Sequence, residues 1–251
     1  MKDYLIKRVI FCFISGMLSG QESADDLYNK GNAYYSSDQF QEASQLYESL
    51  IHSVEHEDLY YNLGNAYFRQ GEIGNAIWAY EKGLQFNPRD KDLQHNNALV
   101  RAHVRDRIDF PKGMILVDYY RSLKQKVTLG DVFILGGIFL LISAVSWVGK
   151  LFGFIRGRAY RRIILPSVIG VLAIHGFMLD LYWDITGSQQ AVVITPVVEA
   201  LSSPAGSDDK ILFRIHEGTV VQITQDYPEW VEIVLLDGKK GWIPDKTLRA
   251  L

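Results

Sequence analysis

Few residues of this 251-residue chain have the types and spacing that chemistry requires. The pair His216-Glu217 begins like the zinc-binding helix of a metalloprotease, but it lacks the second histidine four residues on and falls in a predicted strand. The acidic pairs Asp25-Asp26 and Asp208-Asp209 fall at a predicted helix start and in a loop. Solvation, or attraction to the positive end of a helix dipole, accounts for both pairs without catalysis.

The usual catalytic and nucleotide-binding motifs are absent from the sequence. It has no phosphate-binding loop, no nucleophile elbow and no Gly-x-Gly-x-x-Gly motif after a strand. The single cysteine, Cys12, lies in an apolar N-terminal run, and the net charge of −3 argues against a nucleic-acid partner. We therefore predict a protein that is not an enzyme and has no catalytic residue, cofactor or metal site.

The remaining candidate for chemistry is His175, which lies deep in the second of two long apolar runs. An ionisable side chain inside a membrane span favours a functional role. Carboxylates occur only at the ends of these runs, at Asp131 and Asp180. Two interpretations remain open: a proton relay, or a neutral histidine bonded to Ser143, Ser146 or a backbone carbonyl of the neighbouring helix.

The two apolar runs, Val132 to Gly149 and Ile163 to Leu179, organise the rest of the chain. Each has about the minimum length with which an α-helix crosses a hydrocarbon core of roughly 30 Å. We predict membrane-spanning helices over 131–150 and 163–180, joined by a basic loop over 151–162, with close helix contact at Gly136 and Gly137. Because this loop is too short to cross back, the flanking domains share one compartment.

The N-terminal 20 residues indicate which compartment that is. Lys2, Lys7 and Arg8 precede a short apolar core, a pattern typical of a signal peptide over 1–20; an uncleaved anchor is the alternative, because Leu18 stands where a small residue is preferred. Short basic loops stay in the cytoplasm. We predict a multi-pass protein of the bacterial cytoplasmic (inner) membrane with both soluble domains facing the periplasm.

An internal repeat occupies residues 23–107. Gly31, Tyr34, Ala43 and Tyr47 recur as Gly64, Tyr67, Ala76 and Tyr80, a shift of 33 residues, which predicts pairs of helices stacked in a solenoid. The second unit, from Tyr60 to Pro88, resembles a tetratricopeptide repeat at every signature position except Gly83, where alanine is usual. The segment after it resembles a lone first helix that caps the array.

The resemblance to tetratricopeptide repeats implies a peptide-binding groove on the concave face of the first helices. In this chain the groove positions are Tyr28, Asn29, Asn32, Tyr35, Tyr61, Asn62, Asn65, Phe68, Arg69, His95 and Asn96. Asn32 and Asn62 match the asparagines of repeats that clamp a carboxylate, whereas Tyr28, Asp92 and Asn96 replace the basic residues. The alternative is that these asparagines and tyrosines are solvated or satisfy one another.

Residues 111–127 form the link between the repeats and the first span. Their apolar residues, Ile115, Leu116, Tyr119, Tyr120, Leu123 and Val127, fall on one helical face. This spacing predicts an amphipathic helix, either on the outer membrane surface or packed against the repeats. Thr128 and Asp131 then form a capping pair for the first span.

The last domain, residues 190–251, consists of short alternating runs separated by turn signals such as Glu217-Gly218 and Asp237-Gly238, which predict a small β-barrel. The stretch from Glu229 to Pro244 resembles a bacterial SH3 domain. That resemblance implies a ligand surface formed by Tyr227, Trp230, Trp242 and Pro244, although Thr247 stands where the late tyrosine of proline-binding SH3 domains is found. A structural role for the tryptophans is the alternative.

The predicted fold class is therefore a multidomain membrane protein: an all-α tetratricopeptide solenoid, a two-helix transmembrane hairpin and a small all-β SH3-like barrel. This order of domains resembles the BatE family of the bacterial aerotolerance operon. The resemblance implies a membrane-anchored protein–protein interaction scaffold whose partners are other envelope proteins, including von Willebrand A domain membrane proteins of the same operon, with the lipid bilayer around its spans. The alternative function is an anchor that binds peptidoglycan or wall peptides through the SH3 domain.

Overall fold

The structure, a computed structural model, describes residues 23–54, 56–106, 108, 115–124, 126–187, 189–204 and 210–251. The predicted signal peptide and the Asp208-Asp209 pair lie outside these residues. The described part contains an array of short helices, two long apolar helices and an antiparallel sheet.

The repeat array consists of five helices that pack on one another in chain order. They are α1 (Ala24–Ser36), α2 (Phe40–Leu50), α3 (Glu57–Gln70), α4 (Ile73–Phe86) and α5 (Lys91–Arg101). A Cβ atom built on Gly31 would lie 2.6 Å from Cε1 of Tyr47, and one built on Gly64 would lie 2.5 Å from Cε1 of Tyr80. The sequence repeat is therefore a packing repeat, in which a glycine of the first helix receives a tyrosine of the second.

The ends of these helices follow local rules. Ser23 and Asp26 form a capping box at the start of α1, which gives Asp26 of that acidic pair a structural role. Gly71 ends α3 in the left-handed conformation, with φ of 82°. Gly83 departs from the usual alanine because a Cβ there would lie 2.9 Å from Leu93 of the capping helix α5.

The two long helices are α7 (Leu129–Leu151) and α8 (Gly157–Gly187), and both are long and apolar enough to cross a membrane. Thr128 and Asp131 form the predicted capping box of α7. The predicted basic loop is too long, because α8 begins at Gly157 rather than at Ile163. Arginine is a good helix former, so the basic residues extend the helix instead of ending it.

Small residues bring α7 and α8 together. Ser143 Oγ donates to Ser167 Oγ at 2.9 Å, and a Cβ on Gly170 would lie 2.6 Å from the Phe139 ring. Gly136 lies against α8 as predicted, but the prediction for Gly137 is wrong, since a Cβ there would meet no atom within 4 Å.

His175 bonds within its own helix. Its Nδ1 lies 2.7 Å from the carbonyl oxygen of Val171, one turn earlier. Within the described ranges, no hydrogen bond joins His175 to Ser143, Ser146 or the neighbouring backbone, and Ser143 bonds instead to Phe139 and Ser167. The structure gives His175 a local partner and no carboxylate among the described residues.

The linker helix α6 (Ile115–Lys124) lies against the C-terminal half of α8, where the Tyr120 ring packs edge-on against Phe177. Lys124 Nζ lies 2.7 Å from Asp180 Oδ2, and the Tyr120 hydroxyl donates to the same oxygen at 2.6 Å. Leu116 and Tyr119 are exposed. The repeats contact the long helices separately, through an ion pair between Arg89 and Asp131 of α7.

Seven strands form the antiparallel sheet, in the order β3-β2-β6-β5-β4-β1-β7. They are β1 (Gln189–Val193), β2 (Val197–Leu201), β3 (Ile211–His216), β4 (Val220–Tyr227), β5 (Trp230–Val234), β6 (Lys240–Pro244) and β7 (Leu248–Ala250). The sheet is open rather than a closed barrel, because β3 and β7 lie at opposite edges of this order. Its core contains Ala191, Ile215, Ile233 and Ile243.

Gly170 and Gly137 form a matched pair for testing the packing of the hairpin. In a chain with Cys12→Ser, Ser143→Cys and Ser167→Cys, we expect a disulfide to form readily between the two long helices. Adding Gly170→Ala forces the helices apart and slows this cross-link by about tenfold, whereas adding Gly137→Ala leaves its rate unchanged. Gel mobility of the oxidised and reduced chain measures the cross-link; equal slowing by both alanines would contradict the packing.

Candidate interaction surfaces

The groove asparagines form a hydrogen-bonded ladder that repeats with the helices. In the first repeat, Asn32 Oδ1 accepts from the Tyr47 hydroxyl at 2.7 Å and from Asn62 Nδ2 at 3.2 Å. In the second repeat, Asn65 Oδ1 accepts from the Tyr80 hydroxyl at 2.7 Å and from Asn96 Nδ2 at 2.8 Å. Each rung joins both helices of one repeat to the first helix of the next. These side chains therefore satisfy one another.

The tyrosines of the ladder act as donors. Burial raises the pKa of Tyr47 and of Tyr80, so both hydroxyls stay protonated. Tyr28 completes the first rung, because its hydroxyl accepts from Asn62 Nδ2 at 2.7 Å. Burial and the nearby Asp58 carboxylate raise the pKa of Tyr28 as well.

The other predicted groove residues do not belong to the ladder, and they differ in exposure and in their contacts. Asn29 and His95 are exposed and Tyr61 is half-buried. Tyr35 packs edge-on against Phe40, and Arg69 lies over the same ring while it pairs with Asp38 at 3.1 Å. Phe68 packs against His103. Among the described residues, the Asn29 amide has no hydrogen-bond partner, so it is the groove amide that is free to meet a ligand.

The four residues of the predicted SH3 surface come together on one face of the sheet. The strand register places Tyr227 opposite Trp230, and Trp230 opposite Pro244. Trp242 lies in the next row of β6, and its ring is 6.4 Å from that of Tyr227. The alternating residues Val231 and Ile243 point into the core. The four side chains therefore form one continuous outward surface across β4, β5 and β6.

A junction that the sequence did not predict joins the sheet to the repeats, and Arg249 of β7 lies at its centre. Its Nη2 lies 2.7 Å from Glu48 Oε2, its Nη1 contacts the Tyr67 hydroxyl at 3.2 Å, and its guanidinium lies 3.3 Å from the centre of the Trp78 ring. Burial lowers the pKa of Arg249, but Glu48 and Tyr67 more than offset this, and the pKa is raised overall.

Backbone atoms continue the junction beside Arg249. Trp78 Nε1 donates to the carbonyl oxygen of Ala250 at 2.7 Å. The Gly74 amide, in the first turn of α4, donates to Glu217 at 3.2 Å, so a carboxylate lies at the positive end of that helix. A Cβ on Gly74 would lie 2.5 Å from the carbonyl oxygen of Val193. Helix and strand therefore approach as closely as their backbones allow.

A third contact ties the chain after α5 to the sheet. Asp106 accepts hydrogen bonds from the His216 amide at 2.6 Å and from the Thr219 hydroxyl at 3.0 Å, and its other oxygen lies 2.8 Å from His216 Nδ1. Burial raises the pKa of Asp106, but these bonds offset it and the pKa is lowered overall. His216 therefore contributes to the contact between the repeats and the sheet. Within the described ranges, no group of three or more acidic, histidine or cysteine residues lies close enough to hold a metal ion.

Sequence reasoning missed Glu48, Trp78, Asp106 and Arg249. None of them belongs to a motif, and their partners lie in another domain. A weak signal exists at Gly74, two residues before Ala76 of the repeat signature, since a glycine is not one of the signature residues found at that position. Such a glycine indicates close approach by another backbone.

Comparison with known families agrees with two of the predicted modules. A tetratricopeptide repeat model matches residues 57–90, and a bacterial SH3 domain model matches residues 199–250. No curated protein matches the chain. The chain thus carries two modules whose families suggest protein–protein or wall-peptide interaction.

Arg249 and Arg214 allow a matched test of the junction, since each pairs with a glutamate at 2.7 Å. Arg249→Ala leaves Glu48 and Tyr67 without their buried partner, so we expect the free energy of unfolding of the soluble modules to fall by about 2–4 kcal/mol. Arg214→Ala removes an exposed pair and lowers it by less than about 1 kcal/mol. Urea unfolding followed by tryptophan fluorescence measures both; equal losses would contradict a central role for Arg249.

Proposed function

We propose that this chain is a membrane-anchored protein–protein interaction scaffold of a bacterial envelope complex, of the BatE type. The observation that carries the proposal is the junction at Arg249, which joins a repeat groove and an SH3 surface into one body beside two helices able to cross a membrane. A scaffold needs several binding surfaces held in fixed relation. The docked modules meet that need.

Both candidate surfaces are left open by the junction. The groove residues belong to α1, α3 and α5, whereas the sheet packs mainly on α4 through Gly74 and Trp78. On the sheet, the docked strands are β1 and β7, whereas the aromatic residues belong to β4, β5 and β6. Two ligands can therefore engage the same chain at once.

The resemblance to the BatE family supplies the partners of this proposal: envelope proteins, including von Willebrand A domain membrane proteins of the same operon. The second candidate function is an anchor that binds peptidoglycan or wall peptides. The aromatic row of Tyr227, Trp230 and Trp242 favours it, since aromatic side chains offer large rigid contact area to a peptide. Neither candidate involves catalysis.

Site-specific photo-cross-linking tests the scaffold function. A benzophenone side chain placed at Asn29 of the full chain lies in the groove outside the hydrogen-bonded ladder, so it leaves the fold intact. On irradiation of whole cells we expect a covalent adduct with a membrane protein that contains a von Willebrand A domain, identified by mass spectrometry.

The matched control carries the same side chain at Gln85, which is exposed on α4 outside the groove. We expect no such adduct from it. Adducts of the same proteins from both sites would show that the groove has no special role. Cross-linking of wall fragments alone, from a probe at Tyr227, would favour the anchor.

The proposed topology places both soluble modules in the periplasm and the turn between α7 and α8 in the cytoplasm. An enzyme that is active only in the periplasm should work when fused after Leu251 and fail when inserted at Gly153, which lies in that turn. A reporter that is active only in the cytoplasm should give the opposite pair of results. The reverse outcome for both reporters would overturn the orientation.

A further inference from the structure

The first two turns of α8 carry three arginines, which we call the arginine face. Arg158, Arg161 and Arg162 are exposed, and their spacing of three and four residues places them on one side of the helix. Within the described part of the chain, their guanidinium groups have no hydrogen-bond partner and no carboxylate within 4.0 Å. No acidic residue occurs between Asp131 and Asp180. Three cations that repel one another are therefore left without a counter-charge.

The other two cations at this end of the hairpin have local partners. Arg156 Nε donates to the carbonyl oxygen of Gly153 at 2.9 Å, and Lys150 Nζ lies 4.5 Å from the centre of the Tyr160 ring. The arginine face is thus the part of this basic end that is left for a ligand.

An exposed apolar stripe continues the arginine face along α8. Leu165, Ile169 and Leu172 follow Arg158 and Arg162 in steps of three and four residues, so all five lie on one side of the helix. At a rise of about 1.5 Å per residue, the helix advances roughly 15 Å from Arg162 to Leu172, which is half of a hydrocarbon core of roughly 30 Å. This side of α8 therefore matches one lipid layer, with cations at the level of the phosphates and apolar side chains along the acyl chains.

Two exposed aromatic rings precede the arginine face in the chain. Phe152 and Phe154, in the turn between α7 and α8, are 73 % and 85 % exposed. Exposure of so much apolar surface to water is unfavourable. A segment that combines aromatic rings with arginines is typical of the boundary between headgroups and acyl chains. The turn thus fits a lipid surface as the arginine face does.

We propose that the arginine face binds the phosphate of a phospholipid with a net negative headgroup, whose acyl chains lie along the exposed stripe; this inference rests on the membrane topology proposed above. The planar guanidinium group forms paired hydrogen bonds to phosphate oxygens. A zwitterionic lipid brings its own cation close to the arginines, so it fits less well. An acidic segment of a soluble protein would match the charge of the face but not the apolar stripe.

Lipid binding to the full chain in a nonionic detergent tests the proposal. The probes are dioleoylphosphatidylglycerol, which is anionic, and dioleoylphosphatidylethanolamine, which is zwitterionic and has the same acyl chains. By native mass spectrometry we expect the anionic lipid to bind at least about fivefold more tightly, because the arginines attract its net charge. Free glycerophosphoglycerol, the same headgroup without acyl chains, should not displace it. Equal affinities for the two lipids, or displacement by the headgroup alone, would overturn the proposal.

A charge-matched pair of variants assigns the binding to the arginine face. Arg158→Gln with Arg162→Gln should weaken binding of the anionic lipid by about fivefold, whereas Lys210→Gln with Lys246→Gln, at exposed positions of the sheet domain, should leave it unchanged. Equal weakening by both pairs would reduce the binding to net charge and overturn the assignment. Tighter binding of a hexaglutamate peptide than of the anionic lipid would give the face to an acidic protein segment and overturn the proposal.

The outcome is separable from that of the proposed function. The cross-linking test at Asn29 does not involve the arginine face. A reversed result with the topology reporters would move the lipid site to the opposite leaflet and leave the lipid preference in detergent unchanged. The two proposals therefore fail separately.

Discussion

The arrangement of the soluble modules depends on one largely buried guanidinium. Removing Arg249 from water is costly unless a carboxylate and further acceptors replace the lost hydration. Glu48 and Tyr67 supply them from two helices of the repeats, and the Trp78 ring covers the guanidinium face. Because its pKa is raised, Arg249 remains charged at every physiological pH. The junction is therefore a constant feature of the fold.

The attachments to the long helices are of a different kind. Arg89 pairs with Asp131, and Lys124 pairs with Asp180, but both carboxylates lie near the surface. Exposed ion pairs contribute little to stability, because solvent screens the charges. The repeats and the sheet are thus docked through largely buried contacts, whereas the ion pairs that join them to the two long helices are exposed. Motion between the docked modules and the two long helices is expected at these pairs rather than at Arg249.

The correct predictions all rest on local periodicity in the sequence. The 33-residue shift predicted the helix pairs, and the apolar runs predicted the two long helices. The alternation of apolar and polar residues after Gln190 predicted the strands and the aromatic residues that share one face. The junction escaped prediction because Glu48 and Arg249 lie in different modules and each is unremarkable in its own surroundings. For the groove amides the sequence left two alternatives open, a binding role and mutual satisfaction. Asn32 and Asn62 match a binding motif, yet they bond to each other and to Tyr47, because helix packing places Tyr47 beside Asn32.

The central claim is that the repeats and the sheet are one rigid unit. Spin labels at Gln85→Cys of α4 and Lys240→Cys of β6, in a full chain with Cys12→Ser, report the distance between the modules by double electron–electron resonance. The account predicts a single narrow distance distribution that broadens when Arg249→Ala is added. A broad distribution in the chain with Arg249 intact would contradict it, because the modules would then move independently.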